Sequence, residues 1–207
     1  MEKTVRVLPV GDLSENCYLV YDAEGNGVFI DPGDEADFLL RAAAERGVSV
    51  KAVLLTHLHI DHFGAVPEIL AATGAELILP EKEAPALTDP RRSLMVWRPA
   101  EERFSLTPDR LVGEGDRVTV GTLTFEVWET PGHTAGSVCY RCGDALFSGD
   151  TLFAGSVGRW DLPSGDEAAL RRSLRRLAAV PDDCRVLPGH GGETTLLTEI
   201  RENPYMK

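Results

Sequence analysis

The chain carries five histidines: His57, His59, His62, His133 and His190. Three fall in the run Thr56-His57-Leu58-His59-Ile60-Asp61-His62. Two imidazoles two positions apart can grip one cation. Asp61 and His62, once the chain turns, are placed to hold a second. Imidazole and carboxylate together suit zinc, iron or manganese. A lone histidine is ordinarily a core or surface residue. Three with an aspartate inside six positions would bury several unpaired polar groups unless a metal satisfied them. His133 follows Thr130-Pro131-Gly132, a turn that lets backbone approach closely, with Thr130 and Thr134 as candidate supports for the ring. Asp150 lies in Ser148-Gly149-Asp150-Thr151, and one carboxylate with two oxygens can bridge two ions. His190 sits among Gly189, Gly191 and Gly192, a loop shaped for close approach. No histidine is left over for another role.

These residues need elements to position them. Apolar runs predict strands over 4–10, 17–21 and 27–30, the last two joined across Asn26-Gly27. Helical spacing is read over 34–46, with Phe38, Leu39, Ala42 and Ala43 on one face. A short buried strand is expected at 53–56, a helix at 63–72 closed by Gly74, and a strand at 77–79. If the strand at 53–56 ran on, His57, His59 and Asp61 would point to one side and His62 to the other. Residues 80–110 hold Pro80, Pro85, Pro90, Pro99 and Pro108, which predicts a long excursion with short helices at most. Hairpins are expected over 117–130 and 137–148, an amphipathic helix over 166–179, a strand at 185–187 and a helix over 193–201. Each histidine then sits where a strand ends, the place where sheet proteins collect ligands. Two halves, each strand-rich at first and then alternating strand and helix, predict a four-layer αββα sandwich with two mixed sheets face to face, formed by residues 1–207 as one domain.

Composition narrows the function. The 207 residues include 21 basic and 33 acidic ones, a net charge of −12. That balance argues against nucleic acid and against an anionic membrane surface as partners. Four cysteines are too few for a disulfide framework. Cys139 and Cys142 are three apart on an expected strand and should face opposite ways rather than clip a metal. The opening Met1–Leu13 reads as no signal peptide, and no run is long enough to span a bilayer. A cytoplasmic protein is expected. An exposed Trp or Met patch would pack in a homodimer or line a cleft, and the sequence leaves both open.

The pattern T-H-x-H-x-D-H, followed by a distant His, an Asp and a final His, resembles the metallo-β-lactamase-fold hydrolases. The resemblance runs from Asn16-Cys17-Tyr18 and Asp31-Pro32-Gly33 through Gly149-Asp150-Thr151-Leu152-Phe153 to Pro188-Gly189-His190. Residues 149–161, GDTLFAGSVGRWD, look like the glyoxalase II (hydroxyacylglutathione hydrolase) branch and its single-domain bacterial relatives. The resemblance implies the αββα fold and two divalent metal ions, zinc first, with iron or manganese as alternatives. It implies one ion on His57, His59 and His133, the other on Asp61, His62 and His190, and Asp150 bridging them. It further implies a metal-bridging hydroxide that attacks a thioester, oriented by Asp61 as a catalytic residue.

The sequence departs from glyoxalase II in two ways. Only 17 residues follow His190, so the C-terminal helical glutathione-binding domain of that family is not expected. Where the eukaryotic-type enzymes present a Lys and a Tyr to glutathione, this chain has Arg159-Trp160-Asp161, leaving Arg159 as the substrate-binding candidate. The excursion, with Arg91, Arg92, Met95, Trp97 and Arg98, is expected to wall the pocket. The substrate expected is a small thioester or ester. The alternatives are a mononuclear iron persulfide dioxygenase using His57, His133 and Asp150, or another esterase, lactonase or phosphodiesterase of the same fold.

Overall fold

The computed structural model describes residues 3–207. Its first half forms one six-stranded sheet. β1 (Lys3–Val10), β2 (Glu15–Asp22) and β3 (Asn26–Ile30) form an antiparallel meander. The chain then crosses over through α1 (Ala36–Ala44) to β4 (Ser49–Leu54), parallel to β3. α2 (Ile60–Phe63) and α3 (Val66–Thr73) lead to β5 (Glu76–Pro80). The excursion returns as β6 (Arg110–Val112), and both strands extend the sheet in parallel.

The second half repeats the plan. β7 (Arg117–Val120), β8 (Leu123–Glu129), β9 (Val138–Cys142) and β10 (Ala145–Gly149) are antiparallel neighbours. α4 (Glu167–Ala178) crosses to β11 (Arg185–Pro188), parallel to β10. β12 (Thr194–Thr195) and α5 (Leu196–Glu202) close the half. Both sheets are mixed, as expected.

Three apolar clusters define the layers. Val20, Val28, Ile30 and Leu54 from the first sheet pack with Phe125, Val127, Tyr140 and Phe147 from the second. Their sequence neighbours Leu19, Phe29, Val53 and Leu77 point the other way, onto Leu39 of α1 and Ile69 of α3. On the far side, Cys139, Leu146 and Val186 meet Leu170, Leu174 and Leu177 of α4. The period-2 alternation of strands buried on both faces thus produces helix, sheet, sheet, helix. Cys142 joins the cluster between the sheets while Cys139 faces α4, and both are free thiols. The C-x-x-C is therefore two separate core residues.

α4 starts where Asp166 accepts the Ala169 N–H at 2.7 Å, and its arginines lie outward. Phe38 departs from the expected inner face of α1 and is exposed, because it sits one residue, about 100°, round the helix from the buried Leu39. The excursion contains only 3₁₀ turns, over Glu81–Leu87, Met95–Trp97 and Ala100–Glu102. Among the described residues no helix is long and apolar enough to cross a membrane.

Candidate metal centre

The strand carrying the first histidines stops earlier than its apolar run predicts. β4 ends at Leu54, and His57 and His59 lie in the loop beyond it. Asp61 and His62 then occupy the single turn of α2. The expected sorting of His57, His59 and Asp61 to one side of an extended strand is therefore corrected. A loop and a helical turn bring the four side chains to one place by a different route. His133 comes from the β8–β9 connection, Asp150 from the end of β10 and His190 from the end of β11.

Asp150 owes its position to a local irregularity. The β10–β11 register shifts between Phe147 and Gly149, and Gly149 adopts φ +47°. A Cβ there would collide with Thr56 Oγ1, so glycine both permits the turn and admits the β4 loop.

The donor atoms form two trios. His57, His59 and His133 make one, with ring centroids 4.7–4.8 Å apart in edge-to-face arrangement. Asp61, His62 and His190 make the other. Asp150 stands between them. Its Oδ1 lies 3.4 Å from His62 Nε2, and its Oδ2 lies 3.4 Å from His133 Nε2.

Four rings have one nitrogen committed away from the centre. His133 Nδ1 donates to the Arg159 carbonyl at 2.7 Å, and His190 Nδ1 to the Leu13 carbonyl at 3.3 Å. His62 Nδ1 faces Asp31 Oδ2 at 3.1 Å. His57 Nδ1 lies 3.0 Å from Thr56 Oγ1, which itself donates to Asp31 Oδ2 at 2.6 Å. Each such bond fixes the tautomer and leaves the Nε2 lone pair pointing inward. Inside, His57 Nε2, His59 Nε2, His62 Nε2 and Asp150 Oδ1 are buried without a hydrogen-bond partner. His59 Nδ1 and His133 Nε2 face each other at 2.9 Å. Buried polar atoms are normally satisfied, so convergent orphaned nitrogens and a carboxylate oxygen are a donor set that fits divalent cations.

The electrostatics of His57 and His59 agree with that fit. Burial, reinforced by the neighbouring imidazoles, holds His57 well below its ordinary pKa and pushes His59 down to about 3. Both therefore stay neutral with lone pairs available. Burial alone would raise Asp150, but His62 and His133 beside it hold its carboxyl well below the usual range.

The sequence profile of the Metallo-beta-lactamase superfamily matches residues 10–190. The chain belongs to that superfamily. It is 34% identical to the hydroxyacylglutathione hydrolase GloC of Haemophilus influenzae, across 98% of this chain and 97% of that one. The solved structure of the BLEG-1 B3 metallo-beta-lactamase superposes with a TM-score of 0.92 at 34% identity, covering 99% of this chain and all of the other. That of TTHA1623 in a di-iron-bound form gives 0.87 at 42% identity, covering 97% and 100%. The sandwich is the metallo-β-lactamase fold expected from the sequence.

In this superfamily member several site residues escape sequence reading. Asp31 entered the sequence reading only within the Asp31-Pro32-Gly33 stretch of the family resemblance, with no role attached. It adopts φ +51° and accepts the Thr56 N–H at 2.7 Å as well as the contacts above. Glu83, within the excursion, is buried and accepts Leu58 N–H at 2.9 Å, Thr134 Oγ1–H at 2.8 Å and Gly136 N–H at 2.8 Å. It ties the His57–His59 loop to the His133 loop. Glu15 is buried 3.6 Å from His62 Nδ1 with both oxygens unpartnered, and burial pushes its carboxyl well up. It lies ahead of the strand expected at 17–21, where nothing in the sequence singled it out.

Two expected supports are reassigned. Thr130 Oγ1 pairs with Thr151 Oγ1 at 2.8 Å, and Thr134 serves Glu83, so the Arg159 carbonyl is what orients His133. Arg159 lines the cleft over the centre, and its guanidinium forms a two-pronged pair with Asp161. The excursion does wall the cleft, through Leu94 and Trp97 rather than Arg91, Arg92 or Arg98. Arg98 lines a separate hollow beside Asp61, close to Asp34.

Proposed function

We propose that the protein is a binuclear metal-dependent thioester hydrolase of the hydroxyacylglutathione type. The observation that carries this reading is the placement of Asp150 between two complete trios, one oxygen directed at each. His57, His59 and His133 would hold one divalent ion, and Asp61, His62 and His190 the other, with Asp150 shared. Zinc is the first expectation. Iron is supported by the di-iron form of the 42%-identical TTHA1623. Two such ions would bring the pKa of a shared water towards neutrality and polarise a carbonyl beside it.

The chain supplies the rest. Asp61 lines the cleft, its Oδ2 3.4 Å from His190 Nε2 and 3.7 Å from His62 Nε2. Burial would raise its pKa, but His62 and the His190 hydrogen bond hold the carboxyl below its ordinary value. It is therefore ionised at neutral pH and able to accept a hydrogen bond from the attacking water, fixing the lone pair towards the substrate. A thiol has a pKa of about 8.5, so a thiolate leaves without a proton from the protein. The near-full-length likeness to a hydroxyacylglutathione hydrolase supports the same reaction type. A single-iron dioxygenase would use His57, His133 and Asp150 and leave His59 idle. The 2.9 Å approach of His59 to His133 favours a working His59.

The test is hydrolysis of S-lactoylglutathione by protein loaded in turn with zinc, iron and manganese, with His59→Ala alongside. Turnover that vanishes in the variant supports the proposal. Metal-loaded protein that leaves both S-lactoylglutathione and the neutral S-acetyl-N-acetylcysteamine intact, or that consumes oxygen with a persulfide, overturns it.

A further inference from the structure

The cleft above the centre has a volume of about 470 Å³, and its walls are apolar: Leu13, Leu94, Trp97, Phe153 and Leu162. Leu13 and Trp97 are each 60% exposed, more than any other large hydrophobic side chain among the described residues. They come from distant parts of the chain, Leu13 from the β1–β2 turn and Trp97 from a 3₁₀ turn of the excursion. Exposed apolar side chains gathered at the mouth of a polar site mark a surface made to be covered.

Charge in the cleft is the second observation. Arg159 is the one Lys or Arg residue lining it. Asp161 engages that guanidinium through Nε at 2.7 Å and Nη2 at 2.8 Å, the fork geometry that a substrate carboxylate would otherwise take. Arg92 lies against Asp89, and Arg98, 3.7 Å from Asp34, lines an adjoining hollow that shares Leu13 and Asp61 with the cleft. No unpaired cation lines this cleft to receive an anionic arm.

We propose that the cleft holds an uncharged, apolar arm of the substrate between Leu13 and Trp97, and that Asp161 selects against anionic arms by occupying Arg159. This rests on the thioesterase reading for the reaction and adds which thioesters the site favours. Trp97 and Asp161 are then specificity residues. An apolar arm gains from every methylene it removes from water, so affinity should climb with arm length.

The experiment measures binding calorimetrically to the metal-loaded protein, using thioethers that cannot be hydrolysed. The ligands are S-methyl-N-acetylcysteamine, S-hexyl-N-acetylcysteamine and S-hexylglutathione. The hexyl compound should bind about ten-fold or more tightly than the methyl one. Trp97→Ala, at an exposed position that the fold does not need, should shrink that ratio to about three-fold or less. Asp161→Asn should tighten S-hexylglutathione and leave the neutral hexyl ligand unchanged. Equal binding of hexyl and methyl, a ratio that survives Trp97→Ala, or wild-type protein preferring S-hexylglutathione would each overturn the proposal. Thioethers report binding alone, and hydrolysis of neutral S-acetyl-N-acetylcysteamine beside S-lactoylglutathione separates the two readings: loss of both removes the thioesterase reading, whereas loss of the glutathione ester alone is what selection against anionic arms predicts.

Discussion

Asp31 Oδ2 lies 3.1 Å from Nδ1 of His62, although 31 residues separate them. The same oxygen accepts Thr56 Oγ1–H, and that hydroxyl in turn receives Nδ1–H of His57. One carboxylate thus sets the ring orientation of a histidine in each trio. Asp31→Asn would put an amide where an acceptor is needed. Metal affinity should fall about 10- to 100-fold, read as metal retained against a chelator. Retention equal to wild type would show that the rings are oriented by packing alone.

Glu83 presents both oxygens to the two loops that carry His57, His59 and His133. Glu83→Gln leaves at least one buried donor facing an NH₂ group. The expected loss is about 1–3 kcal/mol in urea unfolding, the cost of an unsatisfied buried group. Among the described residues Glu83 makes no hydrogen bond to the second trio, so in two-ion titrations one step should weaken and the other hold. Parallel weakening of both would count against a local role.

Gly189 tests the packing of the centre without removing a donor. A Cβ on it would press on Asp150 Oδ1 and, at 2.6 Å, on His62 Cε1. Gly189→Ala should keep its circular dichroism yet bind substoichiometric metal. A full complement of two ions would mean that the loop moves aside freely.

Asp22 links the two halves away from the centre. It accepts N–H groups of Glu24 at 3.0 Å, Asn26 at 2.9 Å and Thr122 at 2.9 Å, the last from the β7–β8 turn of the other sheet. The Thr122 bond first, with the Asn26 and Glu24 bonds, lowers its pKa to about 2. The unfolded value is about 3.9, so the folded state binds this proton less tightly. The stabilisation is complete above about pH 4 and is lost as pH falls through about 2. The melting-temperature gap between wild type and Asp22→Asn should be widest near neutrality and close across that window. A gap independent of pH would assign the effect to shape rather than charge.

The sequence by itself determined the donor inventory and the layer plan. Histidines two and five apart in one segment, glycine-flanked His133, Asp150 and His190, and strands alternating apolar side chains are local patterns, so they survive without coordinates. β6 and β12 were not legible: with three and two residues, they exist because a neighbouring strand offers hydrogen bonds. The supports were hidden for the same reason. Asp31 meets Thr56 across 25 residues, and Glu83 meets Gly136 across 53. A buried carboxylate reads in sequence like any surface acid, and only folding reveals which donors surround it. Tertiary structure also decided that Leu13 and Trp97 share one cleft. That pairing depends on how the β1–β2 turn and a proline-rich excursion pack together, a sum of long-range contacts that no local spacing encodes.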